Sequence, residues 1–341
     1  MRFATLLIGV ATLATLIVGY VYEEVGRRRD RTLLPQLGKS IDLGSRRSNL
    51  FCSGSGQPAV VFDAANTRAG IVWSHIQPRI AELTEACWFD RAGEGWSDAG
   101  PFPRTSAATA HDLHEILARA NIPPPYVLVG HSLGGLDLRV YAGLYPTEVA
   151  GAVLVDAAHE DEPRRAPPFM LGRTAPRYLW RPLHLLFSAA ARFGLIRSMT
   201  PRVTLPREPS ARTREEIVAA LARGPLAIAS YSSGGVVSPE SYAQAHASPG
   251  FGDRPLIVLT RGKPADRPPR DEMDRQSAAY EQLWMHEIQP QLAGLSTRGR
   301  QIIVTNSGHD IPEDAPQTII DAVKSILTTL RTDTGPSRQP R

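Results

Sequence analysis

Residues 127–135 have the sequence VLVGHSLGG, and this segment indicates the class of fold. Its first three residues predict a short buried strand, and the apolar pattern of 133–144 predicts a helix directly after Ser132. The pentapeptide GHSLG (130–134) fits the pattern G-x-S-x-G, which presents a serine hydroxyl on a sharp strand-to-helix turn. A hydroxyl is a poor nucleophile that has to be exposed to a base, and such a turn exposes it. Ser132 is therefore the candidate nucleophile.

The small residues around Ser132 fit the same interpretation. Positions two before and two after the serine crowd together on such a turn, and here they are Gly130 and Gly134. The helix that begins at Leu133 directs free N–H groups and its dipole toward a developing oxyanion. The alternative is a glycine-rich turn with an incidental serine, and the setting between strand and helix argues against it. His131 is interpreted as structural, because adjacent side chains diverge on such a turn.

Short apolar runs alternate with helical patterns along most of the chain. This alternation predicts the α/β class, with a mostly parallel central sheet and helices on both faces. The first two strands are expected to form a hairpin around Gly44. The predicted strands are Ser40–Leu43, Ser48–Cys52, Ala59–Phe62, Ala86–Phe89, Tyr126–Val129, Ala152–Val155, Pro255–Thr260 and Gln301–Val304, and the predicted helices are Thr105–Ala120, Leu133–Leu144, Ser277–Ala293 and Ala315–Leu330.

The alternation stops after the sixth strand, where residues 160–254 are rich in proline and arginine. This segment contains the helical patterns Arg177–Arg197 and Thr213–Arg223 and is predicted to be a cap inserted into the domain. The domain as a whole is predicted to cover 39–330. The tail 331–341 contains Pro, Ser and Arg and is predicted to be disordered.

The N-terminus carries an uncharged segment, Phe3–Tyr22. As a helix it would span about 30 Å, the thickness of the hydrocarbon core of a bilayer. Residues 1–22 are therefore predicted to be a transmembrane anchor or a signal segment, and 23–38 a linker. An uncleaved anchor is favoured, since the apolar run is long for a signal peptide and no A-x-A site follows closely. The membrane is thus an expected partner.

Composition narrows the function classes. The 341 residues are 42% apolar and 21% charged, as in an ordinary globular protein, and the net charge is +4. The arginines are scattered without interleaved aromatic residues, so no nucleic-acid partner is expected. Two cysteines are too few for a Cys-based zinc site, and no cofactor or metal is expected.

With these motifs in place, the chain resembles the α/β-hydrolase superfamily, in its serine esterase/lipase-like branch. The resemblance covers about 39–330, with the segment after the sixth strand as its variable cap. It is carried, in chain order, by Val60–Asn66, Cys87–Asp98, Pro125–Gly135, Val149–Asp161 and Ser307–Ile311.

The resemblance implies where the other catalytic groups lie. The base should follow the last strand, where His309 stands after Gly308. The acid usually follows the strand assigned to Pro255–Thr260, but some members place it one strand earlier. Asp156 directly follows the predicted strand Ala152–Val155, at the edge of the sheet where ligands bind. We therefore expect Asp156 to be the acid, with Asp266 as the alternative.

The oxyanion hole needs two backbone N–H donors, and Leu133 supplies the first because it follows the nucleophile. The resemblance places the second in the loop after Ala59–Phe62, at Asn66 or Ala65. This loop lacks the His-Gly that the superfamily often has there. The stretch 90–98 resembles a loop that lies near the site in the superfamily, and its Trp96 is a candidate pocket residue.

These residues predict a serine hydrolase that cleaves a carboxylic ester or related acyl bond of a small or lipid-like substrate. Thioesterase-like or peroxidase-like use of the same triad is the alternative, as is a non-catalytic binding protein. A serine at the turn disfavours an epoxide hydrolase or dehalogenase, which would normally carry aspartate. A disulfide between Cys52 and Cys87 would favour an extracytoplasmic domain, whereas the arginines after the apolar segment favour the cytoplasm.

Overall fold

The fold is built around an eight-stranded sheet with the strand order β1-β2-β4-β3-β5-β6-β7-β8. The structure, a computed structural model, describes residues 2–33, 36–101, 103–167, 186, 189–199, 237–263 and 268–333. The strands are β1 Lys39–Asp42, β2 Arg47–Ser53, β3 Ala59–Asp63, β4 Ala86–Phe89, β5 Tyr126–His131, β6 Val149–Val155, β7 Leu256–Arg261 and β8 Gly299–Val304. Only β1 with β2 and β2 with β4 pair antiparallel, so the predicted fold class is confirmed.

Helices of the described part cover both faces of this sheet. The described helices are α1 Arg2–Leu33, α2 Gln77–Ala81, α3 Ser106–Arg119, α4 Leu133–Leu144, α5 Glu162–Arg165, α6 Leu195–Met199, α7 Pro239–Ala247, α8 Glu272–Leu283, α9 Gln289–Ala293, α10 Ile311–Asp314 and α11 Pro316–Asp333. Of these, α2 and α11 lie on one face of the sheet, and α3 and α4 lie on the other. Short 3₁₀ turns lie at Gly70–His75 and Pro146–Glu148, and a π-helical turn at Trp284–Ile288 joins α8 to α9.

Alternate residues of each strand enter two separate cores, because successive side chains in a strand point to opposite faces. In β5, Val127 and Val129 pack on the side of α2 and α11, whereas Leu128 packs on the side of α3 and α4. Since both faces are covered, the central strands are apolar throughout, and their carboxyl ends are the part of the sheet that stays open to ligands.

The connections place two of these carboxyl ends side by side. From β3 the chain crosses to β4 on one side and then to β5 on the other, and β3 pairs with both. Such a switch point opens a crevice at the carboxyl ends of the strands, where open α/β sheets bind ligands. The loop after β3 and the turn that carries Ser132 after β5 therefore border one crevice.

Several elements differ in length from the pattern-based prediction. Strand β6 begins at Val149, because Val149 already pairs with Tyr126 of β5. Helix α8 begins at Glu272, five residues before the predicted start, because the side chain of Asp271 caps it by accepting from the amide of Asp274. Helix α11 continues to Asp333, three residues into the predicted tail.

The first helix is longer than the predicted anchor, since α1 continues through most of the predicted linker to Leu33. Its segment Thr5–Gly26 has a mean hydropathy of 1.9 and is long and apolar enough to cross a membrane, judged by length and composition alone. Its large apolar side chains are exposed, unlike those of a core helix. Of the predicted cap, 168–185, 187–188 and 200–236 lie outside the described residues, including the predicted helix Thr213–Arg223.

Candidate active site

Ser132 lies on a strained turn between β5 and α4. Its backbone has φ 54° and ψ −117°, a conformation that residues other than glycine rarely adopt. Neighbouring strands hold it there: the Ser132 amide donates to Val155 O at 3.1 Å, and the Ala158 amide donates to Ser132 O at 2.9 Å. The strain is thus supported by hydrogen bonds to the chain around the end of β6.

The turn can form only because its neighbours are glycines. A Cβ atom at Gly130 would lie 2.6 Å from backbone atoms of Gly134 and Gly135, and one at Gly134 would lie 2.5 Å from Asp63 O. Both distances are below any normal contact of a Cβ atom. The loop after β3 therefore packs directly onto the first turn of α4, beside Ser132.

His309 and Asp156, predicted from separate parts of the sequence, meet in the structure. His309 lies after β8, just before α10, and its Nδ1 is 2.5 Å from Asp156 Oδ2. Asp156 follows β6 with φ 41°, and its side chain is completely buried, whereas that of His309 is 46% exposed. The pair has the geometry in which a buried carboxylate orients an imidazole whose other nitrogen faces outward.

Two further side chains hold the Asp156 carboxylate. Arg261, the last residue of β7, donates from Nη1 to Oδ2 at 2.6 Å and from its backbone amide to Oδ1 at 3.1 Å. Trp284, in the π-helical turn, donates from Nε1 to Oδ1 at 2.8 Å. Burial works against ionisation, but Arg261 and the hydrogen bond from His309 outweigh it and hold the pKa of Asp156 well below its usual range. The carboxylate is therefore charged at neutral pH.

Three carboxylates that follow β7 in the chain lie at the start of α8. Asp266 lies outside the described residues. Of its neighbours, Asp271 caps α8, and the first turn of that helix holds Glu272 and Asp274. These three side chains are exposed or part of the helix terminus, so Asp156 is the carboxylate that the described residues bring to His309.

His309 contacts the residue that precedes Ser132 on the turn. His131 donates from Nε2 to the backbone carbonyl oxygen of His309 at 2.8 Å, and the centroids of the two imidazole rings are 4.9 Å apart. Within the described part of the chain, no hydrogen bond joins the Ser132 hydroxyl to the His309 ring. Such contacts are often loose without substrate and tighten when it binds.

His131 itself is a buried neutral group. Burial, reinforced by the neighbouring His309, lowers its pKa to about 4. It is consistent with a structural role, because its contact with the His309 backbone supports the loop after β8.

The predicted oxyanion residues border a cavity that Ser132, Asp156 and His309 do not line. Leu133 and Asn66 both line it, together with residues of α3, α4 and the start of α7. Leu133 is the first residue of α4, where the helix itself offers the amide no partner. Trp96, in contrast, does not line this cavity but stacks against Trp88, with ring centroids 6.4 Å apart.

Arg91 holds the loop that carries Asn66. Its guanidinium is buried and donates to Asp63 Oδ1 at 2.8 Å, to Ala64 O at 2.7 Å and to Ala65 O at 2.5 Å. Through these three bonds Arg91 fixes the path of the chain from β3 to Asn66. The stretch 90–98, to which Arg91 belongs, thus supports the candidate oxyanion hole.

Three buried carboxylates share this single arginine: Asp63, Glu94 and Asp137. Burial raises the pKa of Asp63 to about 8 and that of Glu94 to about 7, against the attraction of Arg91. One oxygen of Asp63 and one of Asp137 have no hydrogen-bond partner within the described structure. The cluster therefore retains protons at neutral pH.

The two cysteines form a disulfide across adjacent strands. Cys52 of β2 pairs in register with Cys87 of β4, and the Cα atoms are 4.1 Å apart. Both sulfur atoms take part in this bond, so they are not free to bind a metal ion together with the nearby Glu85.

On helix α3, His111 contacts Tyr145 and His114 contacts Glu148 at the protein surface.

Sequence reasoning missed Arg261, Trp284 and Arg91. Arg261 ends the strand after which the superfamily usually carries its acid, so a cation there could have suggested that the acid lies elsewhere. Trp284 lies in a π-helical turn, a local irregularity that periodicity does not reveal. Arg91 stands within the segment that was compared with the superfamily, and its burial beside three acids follows only from the fold.

Comparison with known proteins agrees with the fold and the order of these motifs. The model of the family described as "Alpha/beta hydrolase family" matches residues 50–322, which is most of the chain. An uncharacterized protein of Schizosaccharomyces pombe is 40% identical over 82 residues, which are 24% of this chain and 15% of that protein. The first curated relatives are thus matched over less than half of their own length.

Solved structures match over nearly their whole length. An alpha/beta hydrolase fold protein from Burkholderia ambifaria superimposes with a TM-score of 0.58 at 18% identity, over 86% of this chain and 98% of that one. A thermophilic esterase from Thermogutta terrifontis gives a TM-score of 0.53 at 18% identity, over 86% and 99%. At such identities the likeness establishes the fold alone, whereas the family model confirms the resemblance to the α/β-hydrolase superfamily.

Proposed function

Because the chain belongs to the alpha/beta hydrolase family, we propose that it is a serine hydrolase that cleaves a carboxylic ester or related acyl bond through an acyl-Ser132 intermediate. One observation carries the proposal: His309, bound to the buried Asp156 at 2.5 Å, stands beside the strained turn that exposes Ser132. A strained serine, an exposed imidazole and a buried carboxylate together have no simple explanation as packing.

In the proposed reaction, His309 Nε2 takes the proton of the Ser132 hydroxyl as the oxygen attacks the carbonyl carbon. The same nitrogen then returns the proton to the leaving oxygen, and the acyl group remains on Ser132. Water, deprotonated by His309 in its turn, releases the acid and regenerates the serine. Asp156 keeps the Nδ1 proton in place and stabilises the imidazolium.

The tetrahedral intermediate carries a negative oxygen that the proposal assigns to the backbone amides of Leu133 and Asn66. The packing of 63–64 against Gly134 brings the loop of Asn66 to the start of α4. Arg91 holds that loop by donating to the backbone carbonyl oxygens of Ala64 and Ala65. Donors that are fixed before the reaction stabilise the transition state without a cost of reorganisation.

We further propose that α1 anchors the enzyme in a membrane and that the catalytic domain lies outside the cytoplasm. Thr5–Gly26 supplies an apolar span, and the Cys52–Cys87 disulfide favours an oxidising compartment. By the positive-inside rule, the arginines after the span favour a cytoplasmic domain. We give the disulfide more weight, because the rule is a statistical tendency.

An assay of p-nitrophenyl esters of graded chain length, with a thioester in the same panel, tests the proposed function. The variant Ser132→Ala should lose at least about 10³-fold in kcat. Ser277→Ala is the matched control, because Ser277 is exposed on α8 and bonds only to Met273 O. Unchanged ester turnover by Ser132→Ala would remove the serine mechanism, and turnover of the thioester alone would select the thioesterase alternative.

A further inference from the structure

One face of α1, at the carboxyl end of its apolar span Thr5–Gly26, is covered by a piece of the insertion between β6 and β7. Residues 189–199, which include α6, lie against α1 between Gly19 and Gly26. The burial of Glu23 shows most clearly that this face is covered. This charged residue is only 4% exposed, whereas Val21 and Val25 of the same helix are more than half exposed. The apolar helix is therefore packed against a segment of the insertion, not merely joined to the domain by a linker.

Specific polar contacts hold the two pieces together. Arg197 donates from Nε to Glu23 Oε2 at 2.9 Å and from Nη2 to Oε1 at 3.3 Å, and both side chains are nearly buried. The guanidinium of Arg192 lies 4.9 Å from the centre of the Tyr20 ring. Charged and aromatic groups of this kind are typical of the zone where a bilayer meets water.

Glycines allow the close approach. A Cβ atom at Gly19 would collide with the carbonyl oxygen of Phe193, and one at Gly26 would collide with the guanidinium of Arg197. Gly19 and Gly26 are seven residues apart and share one face of α1. This face of the helix is thus occupied by the segment 189–199, and its other faces remain available to lipid.

The contacts also fix the height of the segment relative to a bilayer. Thr5–Gly26 would extend about 33 Å as a helix, slightly more than the hydrocarbon core. A segment that touches only its last two turns would lie at the headgroup level. There it exposes Leu195, 57% accessible, and Met199, 78% accessible, beside Arg192. Apolar side chains next to arginines form an amphipathic surface suited to an interface with anionic lipid.

We propose that residues 189–199 form a second membrane contact, which lies on the bilayer beside the anchor and inserts Leu195 and Met199 among the acyl chains. The proposal rests on the proposed anchoring of α1. It would tie the insertion that follows Asp156 to the bilayer surface, so that substrates dissolved in the membrane would reach the enzyme from the same side.

Depth-dependent fluorescence quenching tests this contact in the full-length chain. Val10→Cys, Met199→Cys and Met273→Cys would each be labelled with bimane and reconstituted in vesicles of phosphatidylcholine and phosphatidylglycerol, with and without brominated phosphatidylcholine. The two native cysteines are bonded to each other, so bimane labels only the introduced cysteine. All three positions are more than half exposed, which makes Met273 on α8 a matched control.

The proposal predicts strong quenching at positions 10 and 199 and none at position 273. In the Met199→Cys background, Leu195→Glu should reduce the quenching by at least half, because a carboxylate resists insertion. Quenching at position 10 with none at 199 would overturn the second contact and leave the anchor intact. Absence of quenching at position 10 would overturn the anchor, and both proposals with it.

Discussion

At the scale of single residues, the site is organised around one buried carboxylate. Asp156 has four hydrogen-bond donors: the side chains of His309, Arg261 and Trp284 and the backbone amide of residue 261. His309 and Arg261 share the same oxygen, so the positive charge of the arginine competes with any positive charge on the imidazole. This sharing leads to two separate predictions.

Replacement of the acid should remove most of the activity. In Asp156→Asn, the amide cannot hold the Nδ1 proton, and we expect kcat to fall about 10³- to 10⁴-fold. Asp266→Asn, which tests the alternative acid, should retain the wild-type rate. Thermal unfolding must show both variants folded. A large loss in Asp266→Asn together with an active Asp156→Asn would reassign the acid.

Removal of Arg261 should change the pH dependence. In Arg261→Met, Asp156 could stabilise the imidazolium without competition, so the acid limb of the kcat/KM profile should move up by about one pH unit. The variant leaves four other charged or titratable groups in place: Glu281, which pairs with Arg261, and His131, Asp310 and Arg68 near His309. Arg275→Met, on the exposed side of α8, is the control. An unshifted acid limb in Arg261→Met would mean that the arginine has only a packing role.

At the scale of elements, the strand, turn and helix around Ser132 form one unit. Its shape depends on Gly130, which faces backbone atoms only, so no side chain can move aside. Gly130→Ala should lower the free energy of unfolding by about 1–3 kcal/mol, because the added methyl has no space. Gly294→Ala, at the end of α9, should change it by less than about 0.5 kcal/mol.

Urea unfolding of the two glycine variants measures this difference directly. The residual ester hydrolysis of folded Gly130→Ala should also fall, since the turn would shift Ser132 relative to His309. Equal stability of the two variants would contradict the crowded geometry of the turn.

The elements also show how far sequence reasoning extends. The turn that carries Ser132 and the glycines around it could be predicted, because local steric rules at 130–134 dictate them. The meeting of His309 and Asp156 rested on the resemblance, since 153 residues separate them in the chain. The loop that holds Asn66, the candidate oxyanion donor, was expected from the resemblance, but its support by Arg91 could not be predicted, because burial of an arginine among three acids depends on contacts between distant segments.

At the scale of the whole molecule, the buried cluster around Arg91 links stability to pH. Burial raises the pKa of Asp63 to about 8 and of Glu94 to about 7, above the values of 3.8 and 4.5 for unperturbed groups. For each group, at pH values between its unperturbed pKa and its raised pKa, the folded state binds more protons than the unfolded state. The free energy of unfolding therefore decreases as the pH rises, by up to about 1.4 kcal/mol per pH unit for each group.

The pH range from 6.5 to 8 covers the titration of Asp63 and Glu94 and lies above the pKa of about 6 to which burial raises Asp90. His131, with its pKa lowered to about 4, costs stability only as the pH falls below 6.5. Asp137→Asn removes one buried acid, lowers the pKa of Asp63 and should flatten the decline between pH 6.5 and 8. Asp321→Asn, on the exposed side of α11, should leave it unchanged. Denaturant unfolding at four pH values measures both slopes, and identical slopes would exclude the cluster as the cause.

The central claim is that the hydroxyl at position 132 is the nucleophile, and a covalent probe tests it most directly. The purified protein would be treated with a fluorophosphonate and the adduct located by peptide mass spectrometry. We predict one adduct on Ser132 in the wild type, slower labelling of His309→Ala and no labelling of Ser132→Ala. Equal labelling of wild type and Ser132→Ala, or an adduct on another residue, would contradict the account.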